Sequence, residues 1–310
     1  MLFFPYKLDV SLYRIPLFTV LACLICIATF MSQIRSSHAF LHNVVNYCQH
    51  ETNADLQGML NAIEDEEFGK GCANVFMGIR EAKDHEAAIA RLAGEVRGLE
   101  FYRERQKDID YKLAAIRYGY EQFVSLVPKD LTDKLAFRPG EYDVVGMFTS
   151  TFAHGSWGHL IGNLLFFFIF ASCVESALGY TAFVGTFLLM AVVTSAAYSH
   201  SVSGTDAPPS IGLSGVAMGM MALLTVLLPR ARIWCFFWFL FFFRRFTLPV
   251  LVIAAWHIGW NIYDLHHADA DSNINYMAHV SGAMTGIAVG LLYRLLARRR
   301  FDELEMSMGT

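Results

Sequence analysis

Six runs nearly free of charge, each long enough to cross a bilayer, leave this chain few folds other than a bundle of membrane helices. They cover roughly 13 to 32, 158 to 177, 180 to 199, 211 to 229, 247 to 265 and 276 to 296, and a helix needs about 20 residues to span the apolar core. Of the 310 residues, 55% are hydrophobic and 17% charged, and mean hydropathy is +0.39, too apolar for an ordinary soluble domain. A shorter run, Ile233 to Phe243, is crowded with Phe and Trp and flanked by Arg230, Arg232, Arg244 and Arg245. It reads as interfacial, and a seventh span there is the competing count.

Basic residues in short loops stay on the cytoplasmic side. Lys7 and Arg14 precede the first span, the four arginines lie between the fourth and fifth, and Arg298, Arg299 and Arg300 follow the sixth. Six crossings put all of them on one side, whereas the opposite short loops carry Asp206, Asp269 and Asp271 without Lys or Arg. The expected fold is therefore an all-α membrane protein, a six-transmembrane-helix bundle with a helical extramembrane insertion between helices 1 and 2. Both termini are expected in the cytoplasm, and a bacterial inner membrane is the expected setting. The domains read as 1–32, an N-terminal tail and first helix; 33–142, an extracytoplasmic insertion; 143–300, a five-helix core; and 301–310, a cytoplasmic tail. A cleaved signal peptide is the alternative for the first run, with Ser37-His38-Ala39 at a suitable distance.

Within the insertion, Leu56 to Leu126 lacks Pro and is rich in Ala, Glu, Lys, Arg and Leu, which predicts two or three amphipathic helices. Cys48 and Cys72 fall here, on a side where a disulfide can persist; two free thiols remain the other reading. Cys23 and Cys26, inside the first apolar run, and Cys173 and Cys235 read as packing residues.

Polar groups inside a membrane are costly and mark function by default. His154, His159 and Asn163 open the second span, Ser214 the fourth and His279 the sixth, all at the non-cytoplasmic end. His279, Gly282, Gly286 and Gly290 form one stripe of a helix, and Gly215 and Gly219 form a second just after the serine. Glycines so spaced let two helix backbones approach closely. Ser214 can then be a nucleophile and His279 the base that takes its proton. His159, Asn163 and the Ser214 backbone N–H are candidate oxyanion donors. No acidic residue shares this level, and Asp264 as an orienting group is a weaker reading than a bare dyad.

From about Asp143 to Arg298 the chain resembles the rhomboid intramembrane serine proteases. The elements that carry the resemblance are Phe152-Ala153-His154, His159-Leu160, Gly162-Asn163, Glu175, Gly179, Gly212-Leu213-Ser214-Gly215 and Ala278-His279-Val280-Ser281-Gly282 with Gly286. The resemblance implies a rhomboid-like six-helix bundle with an outward-opening cavity, and cleavage of single-pass membrane proteins in or near their spans. It implies the same roles for Ser214, His279, His159 and Asn163, and makes His154 and Glu175 structural hydrogen-bonding residues. Gly212, Gly215, Gly282 and Gly286 would support the site. The chain departs from the family at Val144-Val145-Gly146-Met147, where many bacterial members carry Trp-Arg, and at Met218, where an aromatic often stacks on the base.

The expected partners are transmembrane protein substrates and the lipid bilayer. No cofactor, metal or nucleic acid is implied. The alternatives are a catalytically silent relative that binds transmembrane clients, a metal-dependent protein using His257, His266, His267, Asp269 and Asp271, and an aspartyl protease built on Asp264.

Overall fold

The computed structural model describes residues 2–8, 15–63, 69–95, 102–141, 143–203, 207–239, 242–267, 272, 274–297, 301 and 303. Arg14, Asp206, Asp269, Asp271, Arg298, Arg299 and Arg300, on which part of the topology argument rests, lie outside them, as do residues 304–310 of the expected tail. The described chain runs β1 (Leu2–Leu8), α1 (Leu17–Asn46), a π turn (Tyr47–Glu51), α2 (Ala54–Ala62), α3 (Cys72–Glu81), α4 (His85–Glu95), α5 (Tyr102–Leu126) and α6 (Leu131–Leu135). It continues through α7 (Val144–Thr149), α8 (Trp157–Leu178), α9 (Tyr180–Ser201), α10 (Ser214–Leu227), β2 (Arg232–Phe239), β3 (Phe242–Pro249), α11 (Val250–His267) and α12 (Tyr276–Leu296).

Among the described residues, four helices are long and apolar enough to cross a membrane: the one beginning at Leu17, α8, α9 and α12. Their outward residues include Leu24, Ile161, Leu188 and Leu291, all exposed, a surface that needs an apolar surrounding. The first is longer than the expected 13 to 32, because no Gly or Pro interrupts the chain before Asn46. The fourth and fifth expected spans appear as α10, a shorter apolar helix, and α11.

The all-α expectation needs correction. A three-stranded antiparallel sheet in the order β1-β2-β3 holds the aromatic run that reads as interfacial. Apart from Cys235, Ile233-Trp234-Cys235-Phe236-Phe237-Trp238-Phe239 consists of one β-branched residue and aromatics, types that pack well on a pleated surface. Cys235 pairs with both Pro5 and Phe246 across the sheet.

The chain divides into two compact units, one of residues 1–33 and 132–310 and the other of residues 34–131. Within the second, the described residues form four helices, α2 to α5, over the stretch where the sequence predicts two or three. Gly69 and Gly71, both at positive φ, break the chain between α2 and α3, and the Asp84 carboxylate caps α4 by accepting from Ala87 N–H. The core of this unit gathers Tyr47, Leu60, Phe76, Ile79, Ile89, Leu92, Ile116 and Phe123. The Tyr47 hydroxyl donates to the Gly119 carbonyl at 2.6 Å, so the one polar atom of that ring is satisfied.

Cys48 and Cys72 are joined as a disulfide with Cα atoms 5.8 Å apart, while Cys23, Cys26, Cys173 and Cys235 are free. The bridge closes a loop of 24 residues of sequence separation, for which chain entropy gives about 3 kcal/mol. Cys48→Ser is expected to destabilise this unit by about that amount and to abolish the mobility shift on reduction in a non-reducing gel. An unchanged melting curve would show that the bridge contributes nothing.

Candidate active site

The site is built at one end of α8, α10 and α12, where each helix begins. Glycine is needed at 212, because its φ of +119° is closed to residues with a side chain. Gly212 N–H donates to the Ser150 carbonyl at 2.8 Å, and α10 then starts at Ser214. Two residues earlier, Ser210 exchanges backbone hydrogen bonds with Phe137, at 2.8 and 3.0 Å. The Asn275 side chain caps α12 by accepting from Ala278 N–H and also donates to Ser210 Oγ at 2.9 Å. One residue thus fixes the start of α12 against the segment leading into α10.

The glycine stripes meet as expected. A Cβ added at Gly282 would run into the Gly215 carbonyl, and one at Gly286 into the Gly219 carbonyl. Gly290 packs against Val226, where a Cβ would come within 2.8 Å. This backbone contact makes α10 and α12 the most extensively packed helix pair. It also sets their register, and with it the separation of the two reactive side chains.

Ser214 Oγ lies 2.7 Å from His279 Nε2. Both residues are only part-buried, so a substrate can reach them. The other imidazole nitrogen, His279 Nδ1, lies 2.6 Å from Asn261 Oδ1 on α11. From the sequence, Asp264, and not Asn261, is named as the group that could orient His279. Among the described residues Asp264 makes no hydrogen bond with His279.

His159 and Asn163 converge on the backbone just before the serine. A Cβ at Gly212 would lie 2.8 Å from His159 Nε2 and 3.4 Å from Asn163 Nδ2. Asn163 Nδ2 is buried and has no hydrogen-bond partner among the described residues. Ser214, as the first residue of α10, adds an N–H from a helix turn with no internal acceptor. His154 stands behind His159, ring centroids 5.1 Å apart. Its Nδ1 faces the Phe152 carbonyl at 3.2 Å, and Gln33 of α1 holds its backbone through both N–H and C=O.

Farther along α8, the buried Glu175 carboxylate accepts from Phe18 N–H, Thr19 N–H and the Thr19 hydroxyl at 2.6 to 2.9 Å. It satisfies the first turn of α1, where a negative charge is favoured. Met218 is buried in α10. The His279 ring meets Tyr276 of its own helix, with centroids 6.4 Å apart. Among the described residues no group of three or more His, Cys, Asp or Glu is arranged to hold a metal ion. His266 and His267 end α11, and Asp269 and Asp271 lie outside the described residues.

Comparison with known proteins identifies the family. The Rhomboid domain model matches residues 141–295, half of the chain. The mouse (Mus musculus) mitochondrial presenilin-associated rhomboid-like protein is 30% identical over 146 residues, covering 46% of this chain and 36% of that protein. The chloroplastic rhomboid-like protein 11 of Arabidopsis thaliana is 28% identical over 144 residues, 46% of this chain and 49% of that one. The zebrafish (Danio rerio) presenilin-associated rhomboid-like protein A is 28% identical over 160 residues, 50% of this chain and 39% of that one. The matched region thus spans between about a third and half of the length of these relatives. They are mitochondrial or chloroplastic and lend no support to a bacterial inner membrane. A match over half its residues, on the segment that brings Ser214 and His279 together, assigns the chain to a family that includes intramembrane serine proteases: it is a member of the rhomboid family.

Proposed function

We propose that this protein is an intramembrane serine endopeptidase that cleaves single-pass membrane proteins in or near their spans. The observation that carries the reading is the 2.7 Å contact between Ser214 Oγ and His279 Nε2. His279 takes the hydroxyl proton as Ser214 attacks the scissile carbonyl, and returns it to the leaving amine. The tetrahedral oxyanion is received by Asn163 Nδ2, His159 and the Ser214 N–H. Water then hydrolyses the acyl-enzyme with His279 again as base.

In this reading the chain crosses the membrane six times, with α10 and α11 completing the set. At 1.5 Å per residue α10 is about 21 Å long, short of the roughly 30 Å apolar core. Its buried residues run almost without break from Gly215 to Leu227, so neighbouring helices rather than lipid surround it. A short central helix leaves its first residue recessed below the surface. That recess lets water reach Ser214 while the scissile bond stays near membrane depth. The arginine pattern supports a topology with both termini in the cytoplasm.

The test is a transmembrane reporter reconstituted with the protein in liposomes. Cleavage unaffected by chelators is expected. An intact reporter, or cleavage that chelators stop, would overturn the proposal. Asn163→Ala is expected to lower kcat by about 10² to 10³ with little change in KM, the loss typical of one oxyanion donor. Equal loss through KM alone would make Asn163 a substrate-binding residue instead.

A further inference from the structure

The bare dyad leaves open what holds the imidazole, and the contacts of Asn261 answer it. The Asn261 amide makes two hydrogen bonds of different kinds. Its Nδ2 donates to the His257 carbonyl at 2.7 Å, one helical turn earlier, and its Oδ1 faces His279 Nδ1 at 2.6 Å. A backbone carbonyl can only accept, so the amide cannot be flipped without opposing two oxygens. Oδ1 therefore points at the ring, and a carbonyl oxygen can only accept in turn. The proton must sit on Nδ1. Nε2 is then left with its lone pair, directed at the Ser214 hydroxyl.

Resting on the protease reading, we propose that Asn261 is the positioning residue of this site, holding His279 as the Nδ1–H tautomer whose Nε2 is the base. Among the described residues the His279 ring hydrogen-bonds only to Ser214 and Asn261. The other polar and titratable groups that face it are His159 of α8, His257 of α11 and Tyr276 of its own helix, none of them a carboxylate. An amide suits the position because an ionised carboxylate at membrane depth carries a large desolvation cost. The Cys-His-Asn proteases orient their base with an amide on an unrelated fold. Asn261 itself is carried by α11, whose Phe166–His257 ring contact, centroids 4.8 Å apart, ties that turn to α8.

The test compares Asn261→Leu, which keeps the branched shape and loses the acceptor, with Asn261→Asp, which keeps an acceptor. Both are assayed on a transmembrane reporter in liposomes beside Ser214→Ala and His279→Ala. Asn261→Leu should lower kcat about 10- to 100-fold with KM within about two-fold. Asn261→Asp should recover most of that loss. It should also move the acid limb of the pH–rate profile upward, since a carboxylate stabilises the imidazolium and a higher pH is needed to free the base. Wild-type kcat in Asn261→Leu, or equal impairment of both variants with an unshifted profile, would overturn the proposal. Nitrogen-15 spectra of wild-type protein, with His279 assigned by difference from His279→Ala, give a test free of folding defects: a proton on Nε2 and none on Nδ1 overturns it. Cleavage by Ser214→Ala at the wild-type rate would instead overturn the protease reading.

Discussion

Ser214→Ala is expected to lower kcat/KM for a transmembrane reporter by about 10⁴- to 10⁶-fold, His279→Ala to do the same, and the double variant to lose no more than either alone. The non-additivity follows from the 2.7 Å contact. A hydroxyl at neutral pH attacks only while its proton is being taken, and a base with no hydroxyl to serve contributes nothing. Rates multiplied down by both substitutions would show two independent contributions and break the pairing. Residual activity in either single variant would come from the oxyanion donors and substrate positioning, which both changes leave intact.

Gly282→Ala is expected to cost more stability than its single methyl group suggests. The new Cβ would run into the Gly215 carbonyl, and that obstacle is helix backbone with no rotamer to move aside. Overpacking usually costs about 1 to 3 kcal/mol where side chains give way; here α10 and α12 must separate, and a loss at or above that range is expected. The separation also carries His279 away from Ser214, so activity falls with stability. Gly286→Ala should behave alike against the Gly219 carbonyl. Gly162→Ala and Gly185→Ala are the controls, since a Cβ at either meets nothing within 4 Å. Thermal melts in detergent check the series, and a Gly282→Ala melt matching that of Gly162→Ala would refute the backbone-contact account.

The parts of this molecule legible in the sequence are those with a strong spacing. The seam of Gly215 and Gly219 against Gly282 and Gly286 can be read because helical period dictates which small residues share a face, and Ser214 and His279 are carried on the same stripes. Asn261 could not be found that way. Nothing in α11 marks the face it turns toward α12, and an amide among Trp256, His257, Trp260 and Tyr263 resembles any other polar residue near a helix end. The sheet was hidden for a related reason: continuous Phe and Trp carry no period, so strand and interfacial helix look alike until Pro5 and Phe246 are seen to pair with Cys235. Within the unit of residues 34–131, the separation of α2 from α3 depends on Gly69 and Gly71 adopting positive φ, which composition does not reveal. The unit's fold therefore emerges from its packed core of Tyr47, Phe76 and Phe123.

The most direct measurement of the central claim is covalent labelling in membranes with a serine-directed fluorophosphonate, followed by mass spectrometry of the modified peptide. The account predicts an adduct on Ser214 that forms in native protein, is lost on denaturation and disappears in His279→Ala. An adduct on any other residue in place of Ser214, or labelling of Ser214 that His279→Ala leaves unchanged, would contradict it.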